Sequence, residues 1–140
     1  MKPDISVITV NYNGLELTAA MIASLRQYVS TPIETIVVDN GSLRDEAHLL
    51  AERFPGIVAI RSERNLGFAG GNNLGLRAAQ GRYLLLLNND VEVINGDWLT
   101  QMVGECSQPG VGLCGAMLYY PDDTIQHAGI ITGLGGYAGH

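Results

Sequence analysis

Short runs of aliphatic and β-branched residues alternate along the chain with longer segments of helical period. The short runs occupy residues 5–10, 33–39, 57–60 and 83–87, and each predicts a β-strand. In the longer segments apolar residues recur every three or four positions, as on one face of an α-helix. Strands that alternate with helices in this way predict an α/β fold with a mostly parallel sheet flanked by helices.

The helical segments carry either an apolar face or a terminal signal. Helix ends are marked by capping side chains, glycine and proline, so these residues help to bound each segment. The signals are Leu17, Met21, Leu25 and Tyr28 on one face of the first helix, Ser42 and Asp45 as a capping box of the second, Leu74 and Ala78 followed by Gly81 as a C-terminal cap in the third, and Gly96, Asp97 and Trp98 ahead of a fourth helix that runs to about Ser107.

Two apolar segments, residues 83–87 and 111–118, differ in how regular their strand pattern is. Residues 83–87 are apolar without polar alternation, which is typical of a strand buried on both faces, so we expect this strand at the centre of the sheet. Residues 111–118 resemble a further strand, although Gly112 and Gly115 interrupt it.

Length and charge narrow the class of protein. A chain of 140 residues is the size of one domain, so we expect a single domain over residues 1–140. Its net charge of −6 argues against nucleic acid as a partner, and any bound phosphate would need backbone amides, a few arginines or a metal ion. No apolar run approaches membrane-spanning length, and Cys106 and Cys114 form no CxxC pair. These features predict a cytoplasmic protein without a membrane span.

Polar side chains follow three of the four predicted strands. Ligands of open α/β sheets bind beyond the carboxyl ends of the strands, so these positions are the candidate site. They are Thr9, Asn11 and Asn13 at the end of the first strand, Asp39 at the end of the second, and Asn88, Asn89 and Asp90 after the fourth. If the strands are parallel neighbours, Asp39 and Asp90 face one shared crevice.

The two carboxylates each have two interpretations. Asp90 offers an oxygen ligand to a hard divalent cation that shares a substrate diphosphate, or it belongs to a polar turn whose side chains bind nearby amides. Asp39 accepts a hydrogen bond from a nucleobase edge, or it forms an Asx turn into Asn40 and Gly41. Residue spacing alone leaves both pairs of alternatives open.

Two other nucleotide-binding motifs fit the sequence less well. The chain contains no GxxxxGK[ST] sequence, which disfavours a Walker-type nucleotide hydrolase. Residues 133–138 (GLGGYA) fit GxGxxA, which keeps a dinucleotide-dependent oxidoreductase as a weaker hypothesis. That fingerprint should open a βαβ unit with an acidic residue about 20 positions further on.

Four motifs together resemble those of family 2 glycosyltransferases. They are residues 6–13 (SVITVNYN), 37–42 (VVDNGS), 65–73 (NLGFAGGNN) and 86–90 (LLNND). The resemblance implies the Rossmann-like GT-A fold, a nucleotide-diphosphate-sugar donor, Mg²⁺ or Mn²⁺, and inversion at the anomeric carbon. With residues 121–129 (PDDTIQHAG), the LLNND motif is most similar to the rhamnosyltransferase-like branch. That branch implies a dTDP- or UDP-sugar donor, such as dTDP-rhamnose, and a glycan or lipid-linked acceptor.

The same resemblance assigns roles to individual positions. Thr9, Asn11 and Asn13 are expected to line the nucleotide pocket, Asp39 to contact the base, Asn88 and Asn89 to contact the donor, and Asp90 to bind the metal. Asn88 stands where the family's DxD motif usually has its first Asp. The amide carries no charge, so the resemblance predicts a weaker metal site than two carboxylates would make.

The catalytic base is the role that these residues leave unassigned. In the family it is a carboxylate of a later acidic motif, which would deprotonate the acceptor hydroxyl. Asp122 and Asp123 match no such motif, so we expect the base beyond His140, and the chain to be the donor-binding part of a longer enzyme. Its location would be the cytoplasm, or the inner membrane face through other parts of the protein. A non-catalytic nucleotide-sugar-binding module is the alternative function.

Overall fold

The computed structural model describes residues 3–129, 131–134 and 137–139. It consists of two compact units, Met1–Gly96 and Asp97–His140. Within the described ranges, every helix is too short or too polar to span a lipid bilayer. The expectation of one donor-binding domain over residues 1–140 stays a prediction.

The first unit is built on a four-stranded parallel sheet. The strands are β1 (Ile5–Asn11), β2 (Ile33–Asn40), β3 (Val58–Ser62) and β4 (Tyr83–Leu86), in the order β3-β2-β1-β4. All three pairings are parallel, so the α/β fold with a mostly parallel sheet is confirmed. All four strands lie at predicted positions, with ends that differ by one or two residues.

The register places the strand ends that carry the candidate site side by side. In β1 and β2, Asn11 pairs with Asp39, so the two strands end at the same level. On the other side of β1, Leu86 of β4 pairs with Ile8. Strand β1 therefore separates the loop after β2 from the loop after β4, and all three loops leave the same edge of the sheet.

Three helices cover the two faces of this sheet. They are α1 (Leu15–Tyr28), α2 (Glu46–Arg53) and α3 (Gly67–Ala78). Helix α3 packs on β1 and β2 so closely that a Cβ on Gly75 would lie 2.5 Å from Ile8 Cγ2. Helices α1 and α2 lie next to each other, on the face to which Asn11 and Asp39 point. The even-numbered side chains of β1 and β2 thus face α3, and the odd-numbered ones face α1 and α2.

The core of the first unit is formed by strand and helix residues that are almost fully buried: Val7, Ile8, Met21, Ile22, Leu25, Ile36, Val37, Val38 and Leu50. The predicted apolar face of α1 is correct at Met21 and Leu25 and wrong at Leu17 and Tyr28, which are exposed. The buried stripe instead includes Thr18, because this side chain enters a polar network below α1.

Two of the predicted helix ends are wrong. The N-cap of α2 is Asp45, whose Oδ1 accepts the His48 amide at 2.9 Å, whereas Ser42 binds elsewhere. The C-cap of α3 is Ala79 rather than Gly81. Gly81 lies against β1, where an added Cβ would be 2.5 Å from the Ser6 nitrogen, so close backbone approach requires the glycine.

The predicted central position of β4 is also wrong. Among the described residues, β4 lies at one edge of the sheet and β3 at the other, and Leu84 and Leu86 are 54% and 49% exposed on the face that carries α3. The apolar run indicates strand formation, but it contains no information about which strands become neighbours. Helix α3 covers β1 and β2 and leaves this part of β4 uncovered in the described structure.

The described residues of the second unit form one helix and two antiparallel strand pairs. Its elements are α4 (Trp98–Cys106), β5 (Leu118–Tyr119), β6 (Ile125–His127), β7 (Ile131–Leu134) and β8 (Tyr137–Gly139). Strands β5 and β6 form one pair, and β7 and β8 form the other. Helix α4 confirms the predicted fourth helix.

Two sequence interpretations in this unit are wrong. Of residues 111–118, only Leu118 lies in a strand, because the glycines at 112 and 115 weaken strand formation. The dinucleotide fingerprint falls on β7 and β8, with residues 135 and 136 outside the described residues. An antiparallel pair is not the strand-to-helix unit that places a helix N-terminus at a pyrophosphate, so this fingerprint loses its structural basis.

Candidate functional site

Polar side chains from several elements meet at the carboxyl edge of the parallel sheet. Five of them form a connected set of hydrogen bonds, which we call the edge network: Asn11, Thr18, Ser42, Glu46 and Asn89. The network joins β1, helices α1 and α2, the loop after β2 and the turn after β4. Sequence-predicted residues from separate motifs are therefore brought together at one place.

Glu46 is the charged member of the edge network and is only 5% exposed. Its Oε2 accepts hydrogen bonds from Asn11 Nδ2 at 2.8 Å and from the Gly14 amide at 3.1 Å, and Ser42 Oγ lies 3.5 Å away. A buried carboxylate is costly unless several donors satisfy it. Glu46 thereby fixes the loop after β1 against the start of α2.

Thr18 connects the network to the turn after β4. Its hydroxyl donates to Asn11 Oδ1 at 2.7 Å and accepts from Asn89 Nδ2 at 3.0 Å. Asn89 precedes Asp90 directly, so the predicted metal ligand is one residue away from an anchored side chain. Asn89 is half-buried, whereas Asn88 and Asp90 on either side of it are exposed.

Asp39 is fully buried and accepts hydrogen bonds on both carboxylate oxygens. Oδ1 accepts the Ser42 amide at 3.2 Å, while Oδ2 accepts the Glu46 amide at 3.1 Å and Arg61 Nη1 at 2.7 Å. The turn function of Asp39 is thus present in the structure. Its contact with a nucleobase stays a prediction.

The remaining predicted pocket residues differ in exposure. Asn13 is exposed, with φ of 50°, and its Oδ1 accepts the Leu43 amide at 2.9 Å. Thr9 is fully buried within β1, and its Oγ1 has no hydrogen-bond partner. A pocket of about 340 Å³ lies beside Asn13 and is also lined by Gly14, Arg44 and Glu46. The ligand-binding roles of Thr9, Asn11 and Asn13 stay predictions.

The residues after β4 match part of the coordination sphere of a hard cation. Among the described residues, no group of three His, Cys, Asp or Glu side chains converges to enclose a metal ion. A Mg²⁺ or Mn²⁺ that is shared with a diphosphate needs only one or two protein oxygens, because phosphate and water supply the rest. The Asp90 carboxylate and the Asn88 amide oxygen, both exposed, fit such a shared site.

Asp122 in the second unit is a poor candidate for the catalytic base. The Thr124 hydroxyl donates to its Oδ1 at 2.6 Å and the Thr124 amide at 3.1 Å. These bonds favour the ionised carboxylate, so they lower the pKa of Asp122 below its ordinary value. Asp122 also lies in no base motif, so the catalytic base stays unassigned among the described residues.

Sequence reasoning missed four residues at this edge: Tyr12, Thr18, Glu46 and Arg61. Thr18 and Glu46 lie in helices, where a polar residue is usually solvated, and only the fold shows that both are buried. Arg61 is the penultimate residue of β3. A basic residue at the end of a strand could have indicated a partner for the carboxylate that follows the neighbouring strand. Tyr12 is an exposed aromatic between two predicted pocket residues, which also could have been read as a stacking surface.

The parallel sheet and its helices have the GT-A fold. One solved structure with this fold is the mannosyltransferase PcManGT from Pyrobaculum calidifontis in complex with GDP-Man and Mn²⁺. It matches with a TM-score of 0.70 and 23% sequence identity, over 88% of this chain and 37% of that chain. At this identity the likeness carries the fold alone.

The sequence gives the family directly. Residues 6–130 match Glycosyl transferase family 2, and the chain belongs to that family. It is 39% identical to the uncharacterised protein y4gI of Sinorhizobium fredii and 34% identical to the O-antigen biosynthesis protein RfbC of Myxococcus xanthus. Each match covers 99% of this chain, but only 16% of y4gI and 11% of RfbC. The chain thus spans less than a fifth of the length of these relatives.

Proposed function

We propose that this chain is the donor-binding part of a glycosyltransferase that uses a nucleotide-diphosphate sugar. The observation that carries the proposal is the edge network, which assembles the motifs after β1, β2 and β4 at one edge of the sheet. Membership of family 2 and the match to an O-antigen biosynthesis protein support sugar transfer. In this proposal the donor is a dTDP- or UDP-sugar, such as dTDP-rhamnose, and the acceptor is a glycan or lipid-linked glycan.

The strand order suggests how a donor would lie. Strand β1 separates the loops after β2 and β4, so the two loops are about 10 Å apart at a strand spacing of roughly 4.8 Å. An extended nucleoside diphosphate spans such a distance. The nucleoside would lie beside Tyr12 and Asn13. The exposed aromatic ring of Tyr12 offers a stacking surface for a base.

The diphosphate would lie on the opposite side of β1, beside Asn88 and Asp90. These two residues would hold Mg²⁺ or Mn²⁺, which when bound neutralises charge on a departing diphosphate. The exposed Asp90 carboxylate would hold the cation at the surface. The inward-facing Asn89 fixes the turn that carries Asp90. Direct displacement of the diphosphate by the acceptor hydroxyl would invert the anomeric carbon. We assign the base for that hydroxyl to no described residue.

Thermal unfolding with added ligand tests this proposal. UDP or dTDP with Mn²⁺, at about 100 times the dissociation constant, should stabilise the chain by about 2.7 kcal/mol, while NAD should leave it unchanged. Asp90→Asn should lose the Mn²⁺-dependent part of the shift. Asp4→Asn removes the same charge at the opposite edge of the sheet and should behave like the wild type.

Two results would contradict the proposal. An Mn²⁺-dependent shift that persists unchanged in Asp90→Asn would remove this residue from the metal site. The absence of any shift with either nucleotide would remove the donor site itself. Slow release of nucleoside diphosphate from a donor sugar by the wild type, but not by Asp90→Asn, would distinguish a transferase from a module that only binds.

A further inference from the structure

We propose that Thr18 is a positioning residue that couples the nucleotide side of the site to its metal side. The proposal rests on the proposed function, because it assigns Asp90 to a metal. Thr18 is a fully buried side chain of α1, distant in sequence from the turn after β4. Among the described residues of the edge network, Thr18 is the one whose side chain hydrogen-bonds to Asn89.

The Thr18 hydroxyl acts both as a donor and as an acceptor. Thr18 Oγ1 donates its proton to Asn11 Oδ1, so its lone pairs are free to accept from Asn89 Nδ2. Asn11 Nδ2 in turn donates to Glu46, which fixes the orientation of the Asn11 amide. The direction of every bond from Asn89 to Glu46 is therefore determined by the carboxylate at its end.

Gly14 at the N-cap of α1 lies against the same hydrogen bonds. This residue has φ of −129°, so the backbone does not demand glycine, and it makes no side-chain cap. A Cβ at position 14 would lie 3.0 Å from Asn89 Nδ2 and 3.3 Å from Asn11 Oδ1. A side chain at position 14 would therefore crowd the Asn89 amide.

Exposure to solvent alternates along the turn after β4. Asn89 turns inward to Thr18, while Asn88 and Asp90 point outward to solvent. Anchoring the middle residue of the turn therefore holds the two outward oxygen ligands in place. Glu46 accepts both the Asn11 side chain and the Gly14 amide, and Ser42 accepts the Asn13 amide, so the loop after β1 and the turn after β4 depend on one connected set of bonds.

The test compares Thr18→Val, which keeps the shape and removes the hydroxyl, with Thr18→Ser, which keeps the hydroxyl. Mn²⁺ affinity in the presence of UDP should fall 10- to 100-fold in Thr18→Val, as for other residues that orient metal ligands. Thr18→Ser should stay within about threefold of the wild type, clearly below that range. UDP affinity in EDTA should change less than Mn²⁺ affinity in Thr18→Val.

Amide hydrogen exchange gives a readout that needs no ligand. Exchange of residues 87–91 should accelerate in Thr18→Val and not in Thr18→Ser. Unchanged exchange in Thr18→Val would overturn the positioning role. Faster exchange in a chain whose wild type binds neither UDP nor Mn²⁺ would support the anchor and overturn the proposed function instead.

Gly14→Ala provides a second variant if Thr18→Val does not fold. It keeps every hydrogen-bonding group and displaces the Asn89 amide by crowding it. A loss of Mn²⁺ affinity and faster exchange of residues 87–91 are expected, both smaller than in Thr18→Val because the Asn89 amide has to shift by only a few tenths of an ångström. Wild-type behaviour of Gly14→Ala in both measurements would contradict the proposal.

Discussion

At the scale of single residues, Asp39 shows how a buried charge is held at the edge of the sheet. Three backbone amides from residues 42, 46 and 47 and the Arg61 guanidinium donate to its two oxygens. Arg61 also donates to the carbonyl oxygens of Ser42 and Arg44, so it ties β3 to the loop after β2. The carboxylate is fully buried, whereas the Arg61 side chain is one-third exposed.

Removing the charge of Arg61 should therefore destabilise the first unit. In Arg61→Met the buried carboxylate loses a charged partner, which costs about 1.5–3 kcal/mol. Urea unfolding followed by circular dichroism measures this change. Arg77→Met removes an exposed charge from α3 and should change stability by no more than about 0.5 kcal/mol. Equal stabilities of the two variants would show that the Asp39–Arg61 pair contributes nothing.

At the scale of elements, the approach of α3 to the sheet depends on a small residue at position 75. A Cβ there would meet Ile8 Cγ2 at 2.5 Å and Val38 Cγ2 at 3.2 Å. Both neighbours are buried β-branched side chains with little rotamer freedom, so the helix itself would have to move.

Gly75→Ala should consequently destabilise the chain despite its better helix propensity. Overpacking costs about 1–3 kcal/mol, against a propensity gain of at most about 1 kcal/mol. Gly104→Ala is the matched control, because it lies in α4 with no atom within 4 Å of an added Cβ. Thermal unfolding should show a lower midpoint temperature for Gly75→Ala than for the wild type. The midpoint temperature of Gly104→Ala should not be lowered. A stabilised Gly75→Ala would mean that α3 is not packed this closely.

At the scale of the whole molecule, the sheet presents β4 as an edge among the described residues. Leu84 and Leu86 are half exposed beside unpaired backbone groups of this strand. Exposed apolar edge strands pair readily with other chains.

We therefore expect the isolated chain to self-associate through β4 as its concentration rises. Leu86→Lys should weaken this association because a lysine on an edge strand opposes pairing. Leu43→Lys changes an isolated, fully exposed leucine of a loop and should leave association unaltered. Sedimentation velocity over a range of concentrations distinguishes the variants. Identical association in both variants would place the contact elsewhere.

Much of the candidate site was predictable because its signals are local. The polar residues after each strand, and Asp90 in particular, follow from the position at which an apolar run ends. The predicted N-cap of α2 is wrong because Ser42 and Asp45 are both residue types that favour an N-cap. The fold distinguishes them, since Ser42 Oγ accepts the Asn13 amide at 2.8 Å while Asp45 accepts the His48 amide of the helix.

The sequence by itself determined the periodicity of each segment, hence the strands, the helices and the parallel α/β sheet, because these depend on neighbours along the chain. The tertiary structure alone decided that β4 lies at an edge, that Glu46 is buried, and that Thr18 reaches Asn89. Each of these depends on which distant segments become neighbours. Which segments become neighbours is determined by the packing of the whole unit. The hydrophobic pattern within one segment does not predict it.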